Sequence, residues 1–260
     1  MKQSDLRELL DEAYRKYARP EFLELDPISL PARLNKLQDR EIIGFWVAML
    51  AWGNRKSIIA SGERLLDFMD GAPHDFVLNY KDSDLKPFLD FKHRTFNSTD
   101  ALYFLDFFRR WYSEYDSLEE AFTVGWSPED EDVGPALIAF EERFRDSEDF
   151  PRRTMKHVAS PARKSSCKRL NMFLRWMVRG TQEGVDFGLW RSIKASQLVC
   201  PLDVHVERVA RRYRLLKRKQ RDWLAASELT AKLRKLDPED PVKYDFALFG
   251  IGVLEKAGTV

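Results

Sequence analysis

An all-α fold is predicted for this 260-residue chain by three features of its sequence. Apolar residues recur at intervals of three and four in one segment after another, Pro, Gly, Asn and Asp punctuate the intervals, and strand-like alternation is weak throughout.

Taken in order, the first helix carries Leu6, Leu9, Leu10 and Ala13 on one face and is broken at Pro20, before the loop 26–31. The stretch Asp39–Trp52 is apolar on nearly every side after its start, so it belongs in the interior. It stops at Gly53, and Asn54–Ser57 then reads as a polar loop before a helix carrying Ile58, Ile59, Leu65, Leu66 and Phe68. Aromatic and apolar residues from Phe88 to Phe122, among them Leu102, Phe104, Leu105, Phe107, Phe108 and Trp111, have the spacing of buried helix surfaces. The acidic turn Ser127–Asp132 leads to a helix around Leu137, Ile138, Phe140 and Phe144.

A polar breaker cluster, Ser160–Ser166, precedes a helix with Leu170, Phe173, Leu174 and Met177 on one side, and Ser165 or Ser166 is the expected cap. Residues 180–184 end it, and Asp186–Ile193 reads as a short helical connector. Asp203, after Pro201 and before the apolar positions Val206, Val209, Ala210 and Tyr213, is the expected N-cap of the next helix. Trp223–Leu236 forms one amphipathic helix. Asp240 and Pro241 supply a cap and a first helical position for the last, Val242 to about Phe249. Residues 1–38 are expected as an arm docking on the core, with 39–150 and 151–260 as lobes flanking a cleft.

Composition bounds the function classes. There is no apolar run of membrane-spanning length and no apolar stretch at the N-terminus of the kind a secretory signal carries, so a cytoplasmic location without membrane partners is expected. Two cysteines, Cys167 and Cys200, fall short of a four-cysteine zinc or iron–sulfur site and are expected as buried free thiols. Neither a metal nor another cofactor is expected. The net charge is only +1, yet the positive charge is segregated. Between Phe150 and Gln182 no acid interrupts Arg152, Arg153, Lys156, Arg163, Lys164, Lys168, Arg169, Arg175 and Arg179. After Asp203 comes a second run, Arg208 to Arg221, with Glu207 just before it as the only acid. Asp203 lies between the two runs, an arrangement that suits a polyanionic ligand.

Lys168 followed by Asn171-Met172-Phe173-Leu174, then Pro201-Leu202-Asp203-Val204-His205-Val206-Glu207-Arg208-Val209, then Tyr244-Asp245-Phe246-Ala247-Leu248-Phe249-Gly250-Ile251-Gly252 resembles the helix-hairpin-helix DNA glycosylase superfamily. The match is closest to a bacterial family of unknown function that shares the second and third stretches. Among characterised members it looks most like the archaeal 8-oxoguanine glycosylases. The resemblance implies a two-lobed helical bundle, damaged duplex DNA as partner, and a monomer without an iron–sulfur cluster. It carries the nucleophilic lysine onto Lys168 and the family aspartate onto Asp203. Asn54 and Arg55, at the end of a segment similar to one from which that family presents a polar residue to DNA, become DNA-contact candidates. So do Arg163, Lys164, Ser165, Ser166, Arg169, His205 and Arg208. In one respect the chain departs from the family. The typical hairpin has two glycines whose N–H groups approach a phosphate, whereas Ala162–Ser166 has none, so cationic side chains are expected to take that role.

The chemistry explains why such residues would be needed. Extruding a nucleotide costs a few kcal/mol, which phosphate contacts offset, and breaking the N-glycosidic bond builds positive charge on the sugar that a carboxylate stabilises. An attacking lysine must first be unprotonated, and the start of a helix and neighbouring cations both disfavour ammonium. Asp203 and Lys168 answer to these two needs. A non-catalytic DNA-binding module of the same fold and a protein-interaction scaffold that meets acidic partners are the alternative readings.

Overall fold

The computed structural model describes residues 2–23, 26–180 and 183–256; Thr181 and Gln182, in the stretch expected to end a helix, lie outside them. The fold is all-α. The longer helices are α1 (Gln3–Tyr17), α2 (Leu37–Leu50), α3 (Arg55–Phe68), α4 (Ser98–Tyr112), α5 (Gly134–Phe144), α6 (Lys168–Val178), α7 (Val204–Arg212), α8 (Trp223–Arg234) and α9 (Tyr244–Lys256). A hairpin of two-residue strands, β1 (Lys92–His93) and β2 (Phe96–Asn97), pairs antiparallel. No helix among the described residues is long and apolar enough to cross a membrane.

The chain forms two compact units, each discontinuous in sequence. The first comprises residues 1–22, 127–135 and 160–260, and the second 23–126 and 136–159. In the second unit α2 is buried along almost its whole length. Its Phe45 and Trp46 pack against Phe104 and Phe108 of α4, and Phe45 also meets Phe140 and Phe144 of α5. The aromatic repeat from Phe88 onward is therefore core. Asp100, in the first turn of α4, is fully buried. It accepts from the Asn97 N–H at 2.9 Å, the Thr154 hydroxyl at 2.7 Å, His157 Nε2 at 3.2 Å and the Arg153 guanidinium, which ties residues 152–157 to the start of that helix. Burial pushes the Asp100 carboxyl up, but the bonds from His157, Asn97 and Thr154 outweigh it and hold it at about 2.

In the first unit α9 is the hub, packed by α1 on one side and α7 on the other. Its glycines permit the close approach. A Cβ at Gly250 would stand 2.2 Å from the Tyr17 ring of α1, and one at Gly252 would stand 3.0 Å from the His205 carbonyl of α7. Leu6, Leu10, Ala13 and Tyr17 form the buried face of α1.

Four local expectations are corrected. Residues 55–57 are not loop: α3 begins at Arg55, with Asn54 as its cap, because the Asn54 side chain accepts from the Lys56 N–H at 2.9 Å. The cap of α6 is Cys167, not a serine. Asp186–Ile193 is not helical, since its backbone instead closes onto the end of α6, with Phe187 N donating to Trp176 O at 2.8 Å and Leu189 N to Met177 O at 2.7 Å. There Gly188, at φ +57°, lies so close to Gly180 that any side chain would strike its backbone. Finally, Asp240 makes no side-chain cap. Its carboxylate is committed to Arg179, and a 3-10 turn, Pro241–Lys243, precedes α9.

Candidate functional site

The site is built where the segment 160–168 turns into α6. A 3-10 turn, Pro161–Arg163, closes with Lys164 N on Pro161 O at 2.8 Å, and the backbone then goes left-handed at Lys164 (φ 57°) and again at Cys167 (φ 51°). These are the conformations for which glycine is the ordinary choice, here adopted by residues with side chains. The Ser165 hydroxyl accepts from Cys167 N at 3.1 Å, and the Asn171 side chain donates to the Ser166 carbonyl at 3.1 Å, so both serines brace the turn instead of capping the helix. Ala162, Arg163 and Lys164 are exposed at its tip.

Lys168 is the first residue of α6 and is half-buried. Its Nζ lies 3.6 Å from Met172 Sδ, one turn along the same face. That face continues through Arg175 and reaches Arg179 at the helix C-cap, following the i, i+4, i+7, i+11 repeat. Both arginines are buried, and each is anchored by carboxylates. Arg175 Nε donates to Asp186 at 3.2 Å and its Nη1 to Asp245 Oδ2. Arg179 donates to Asp186 at 2.9 Å, to Asp240 at 2.8 Å and to the Tyr14 hydroxyl at 2.7 Å. Asp186, with 0% of its side chain exposed, bridges the two. Two of the cations in the first basic run are thus spent inside the protein and take no part in a polyanion-binding face.

Asp203 is the N-cap of α7. Its Oδ1 accepts both the His205 N–H at 2.8 Å and the Val206 N–H at 2.9 Å; Oδ2 accepts no hydrogen bond among the described residues. Asp245, in the first turn of α9, connects the parts. Burial drives its carboxyl up to about 6, the pull of Arg175 and Lys168 works against that rise, and the negative charge of Asp203 adds to it. The Lys168 amine and the Asp203 carboxylate therefore both lie within electrostatic reach of the Asp245 carboxyl. Cys200 is buried beside them, and burial, with Asp245 and Asp203 nearby, raises its thiol well above the ordinary range. Cys167 and Cys200 are both buried thiols outside any disulfide. Among the described residues no group of His, Cys, Asp and Glu has the makeup of a metal site.

The remaining candidates divide. His205 packs its ring on Phe249 and leaves Nδ1 buried without a partner. The exposed Arg208 donates to the Gly252 carbonyl of α9. Arg169 is half-buried, and burial lowers its guanidinium to about 10, with Cys167 opposing. Asn54 and Arg55 belong to the other compact unit, Asn54 as the cap of α3 and Arg55 3.9 Å from Asp26. The second basic run is also partly neutralised. Glu207 binds Arg211 at 2.8 Å and Arg221 at 2.5 Å, and Asp222 binds Arg218 at 2.5 Å; Arg212, Arg214, Lys217 and Lys219 lie at the surface.

Sequence reasoning missed Asp245 and the Asp186 bridge. Arg175 and Arg179 lie opposite the stripe of Leu170, Phe173, Leu174 and Met177, where a cation reads as solvent-facing, so they gave no signal; Asp245, the lone acid in a run of apolar residues, did, since a buried carboxyl requires a partner. Neither the curated proteins nor the solved structures contain a match to the chain. The model of the family described as a protein of unknown function, DUF2400, matches residues 26–254, and the chain belongs to that family.

Proposed function

We propose that the chain is a DNA base-excision glycosylase of the helix-hairpin-helix type with β-lyase activity, in which Lys168 is the Schiff-base nucleophile and Asp203 stabilises the cationic sugar. One observation carries this reading: an amine at a helix start and a carboxylate with an uncommitted oxygen both act on one buried carboxyl, Asp245, within a single compact unit. Ordinary surface ion pairs do not require that arrangement, and a reaction that needs a nucleophile beside an anion does. The exposed cations Arg163 and Lys164 at the tip of the turn, together with Arg212, Arg214, Lys217 and Lys219 beyond α7, are the groups that would meet DNA phosphates.

In this mechanism the Lys168 lone pair forms a bond to the sugar C1′ as the N-glycosidic bond breaks and its electron pair leaves with the base. Asp203 lowers the energy of the positive charge that develops on the ring. Ring opening gives the Schiff base, from which loss of a proton at C2′ expels the 3′ phosphate.

Borohydride trapping tests it. Duplexes carrying an abasic site, 8-oxoguanine, uracil or 3-methyladenine are incubated with the protein and reductant, and a covalent adduct that Lys168→Ala abolishes is the expected product. Absence of an adduct on every duplex overturns the proposal. Salt-sensitive DNA binding that survives both Lys168→Ala and Asp203→Ala, with no adduct, would leave a binding module in its place.

A further inference from the structure

In the second unit one arginine is held in place with its donors unused. The hairpin turns from β1 to β2 through Arg94 and Thr95, with His93 paired to Phe96 across the turn. A two-residue turn of this kind takes Gly, Asn or Asp where φ is positive, yet Arg94 stands there at φ 55°. A long side chain at such a position carries backbone strain, and the turn itself gains nothing from it. The side chain folds back against Gly53, just past the end of α2. A Cβ on Gly53, itself at φ +105°, would stand 2.8 Å from Arg94 Nη1, 3.3 Å from Cδ and 3.4 Å from Cζ. Arg94 makes no hydrogen bond and no ion pair among the described residues.

The hairpin that carries it is braced on both strands. Buried His93 has Nδ1 2.8 Å from the Ser61 hydroxyl of α3, and its ring meets Trp52 edge to face. Past the turn, Arg153 donates to the Thr95 carbonyl at 3.1 Å and to the Asn97 side chain, and is itself fixed by Asp100. The surroundings are cationic. No acid occurs in residues 42–62 or 91–99, and Lys56 and Lys92 are exposed and make no ion pair among the described residues. Asn54, expected from the sequence to meet DNA at this junction, has its Oδ1 occupied by the Lys56 N–H. A guanidinium fixed at the surface, uncommitted and among cations, is a preorganised receptor for an anion, and its planar fork fits two oxygens of one phosphate.

We propose that Arg94 binds a phosphate of the DNA backbone, giving the second unit a contact of its own in addition to the cations assigned above to the first. The inference deepens the glycosylase reading and rests on its choice of DNA as ligand. Lys56 and Lys92 add attraction that falls with salt.

Fluorescence anisotropy with a labelled duplex carrying a tetrahydrofuran abasic analogue, titrated at several salt concentrations, reads this contact without any reaction. Arg94→Gln and Arg94→Gly are expected to bind about fivefold more weakly at about 150 mM salt and to lower the slope of log K against log salt by about one, as one lost phosphate contact requires. Arg94→Lys keeps the charge without the fork and is expected to keep the slope and recover part of the affinity. Because glycine relieves the turn, Arg94→Gly is expected to unfold in urea at a midpoint no lower than that of the wild type. A midpoint that falls in step with the affinity marks Arg94 as structural and overturns the proposal. So does binding by Arg94→Gln within about twofold of the wild type at an unchanged slope. Should Arg94→Gly not fold, the slope of Arg94→Gln decides. Wild-type protein that binds no duplex overturns this inference and the glycosylase reading together. Protein that binds through Arg94 yet forms no borohydride adduct leaves the contact standing and removes the glycosylase reading; adduct formation with Arg94 variants that bind normally does the reverse.

Discussion

At Lys164 and Cys167 the chain takes left-handed backbone conformations with ordinary side chains, at a cost of about 1 kcal/mol each relative to glycine. Lys164→Gly is therefore expected to raise stability by about 0.5–1 kcal/mol in urea denaturation, since Lys164 is exposed and loses no packing, while Lys164→Val is expected to lower it. If the glycine variant proves less stable, backbone strain is not what that position stores. This turn was illegible in the sequence for a plain reason: glycine is the usual marker of positive φ, and none stands there. Asp203, by contrast, could be read, because a proline, a short polar side chain and then apolar residues at helical spacing leave few other places for a helix to begin. Asp245 is harder to assign from the sequence, although it stands in a distinctive apolar stretch. A single acid in an apolar helix declares that it is buried, but its partner, Arg175, lies 70 residues earlier, and no periodicity links the two.

At the scale of elements, Asp203 serves α7 as well as any chemistry, and the two roles can be separated. Asp203→Ala removes the acceptor for two N–H groups and is expected to cost about 1 kcal/mol of stability, whereas Asp203→Asn keeps a capping oxygen and is expected to leave the denaturation midpoint nearly unchanged. Both variants should lose borohydride trapping. An Asn variant that traps DNA as fast as the wild type would confine Asp203 to capping. Helix positions were legible wherever the apolar repeat is strong, as in α2 and α6. The sequence misplaced the connections at Asp186–Ile193 and Asp240, because the side chains and carbonyls there answer to α6: Asp186 and Asp240 hold Arg179, and the backbone of 187–190 caps the carbonyls of Trp176 and Met177. Tertiary partners of that sort override local propensity.

For the whole molecule, two buried carboxyls give opposite pH dependences. Asp100 is held at about 2 in the second unit, below the 3.8 of an unfolded aspartate, so its stabilisation is present above that value and is lost as pH falls toward 2. Asp245 is raised to about 6 in the first unit. The stability that its bound proton contributes is complete below 3.8 and is lost as pH rises through 6. Thermal melts from pH 2 to pH 8 should show Asp100→Asn with a shallower acid limb and Asp245→Asn with a flatter slope between pH 4 and pH 7. An Asp245→Asn profile parallel to the wild type would mean that this carboxyl titrates normally. The basic runs read as one cationic surface in the sequence, where only neighbours along the chain are visible. Folding pairs part of each run with Asp100, Asp186, Asp240, Asp245, Glu207 and Asp222, so the two runs do not present a single cationic face.

The packing of α1 on α9, tight enough that Gly250 must be a glycine beneath Tyr17, has a consequence for biogenesis. The ribosome makes α1 more than two hundred residues before α9, so the apolar face of Leu6, Leu10, Ala13 and Tyr17 has no permanent seat while the rest is being translated. Because Asp245 travels on α9, its ion pair with Arg175 can form only once α9 has been made, so that pair and the seat of α1 are completed by the same late-made helix.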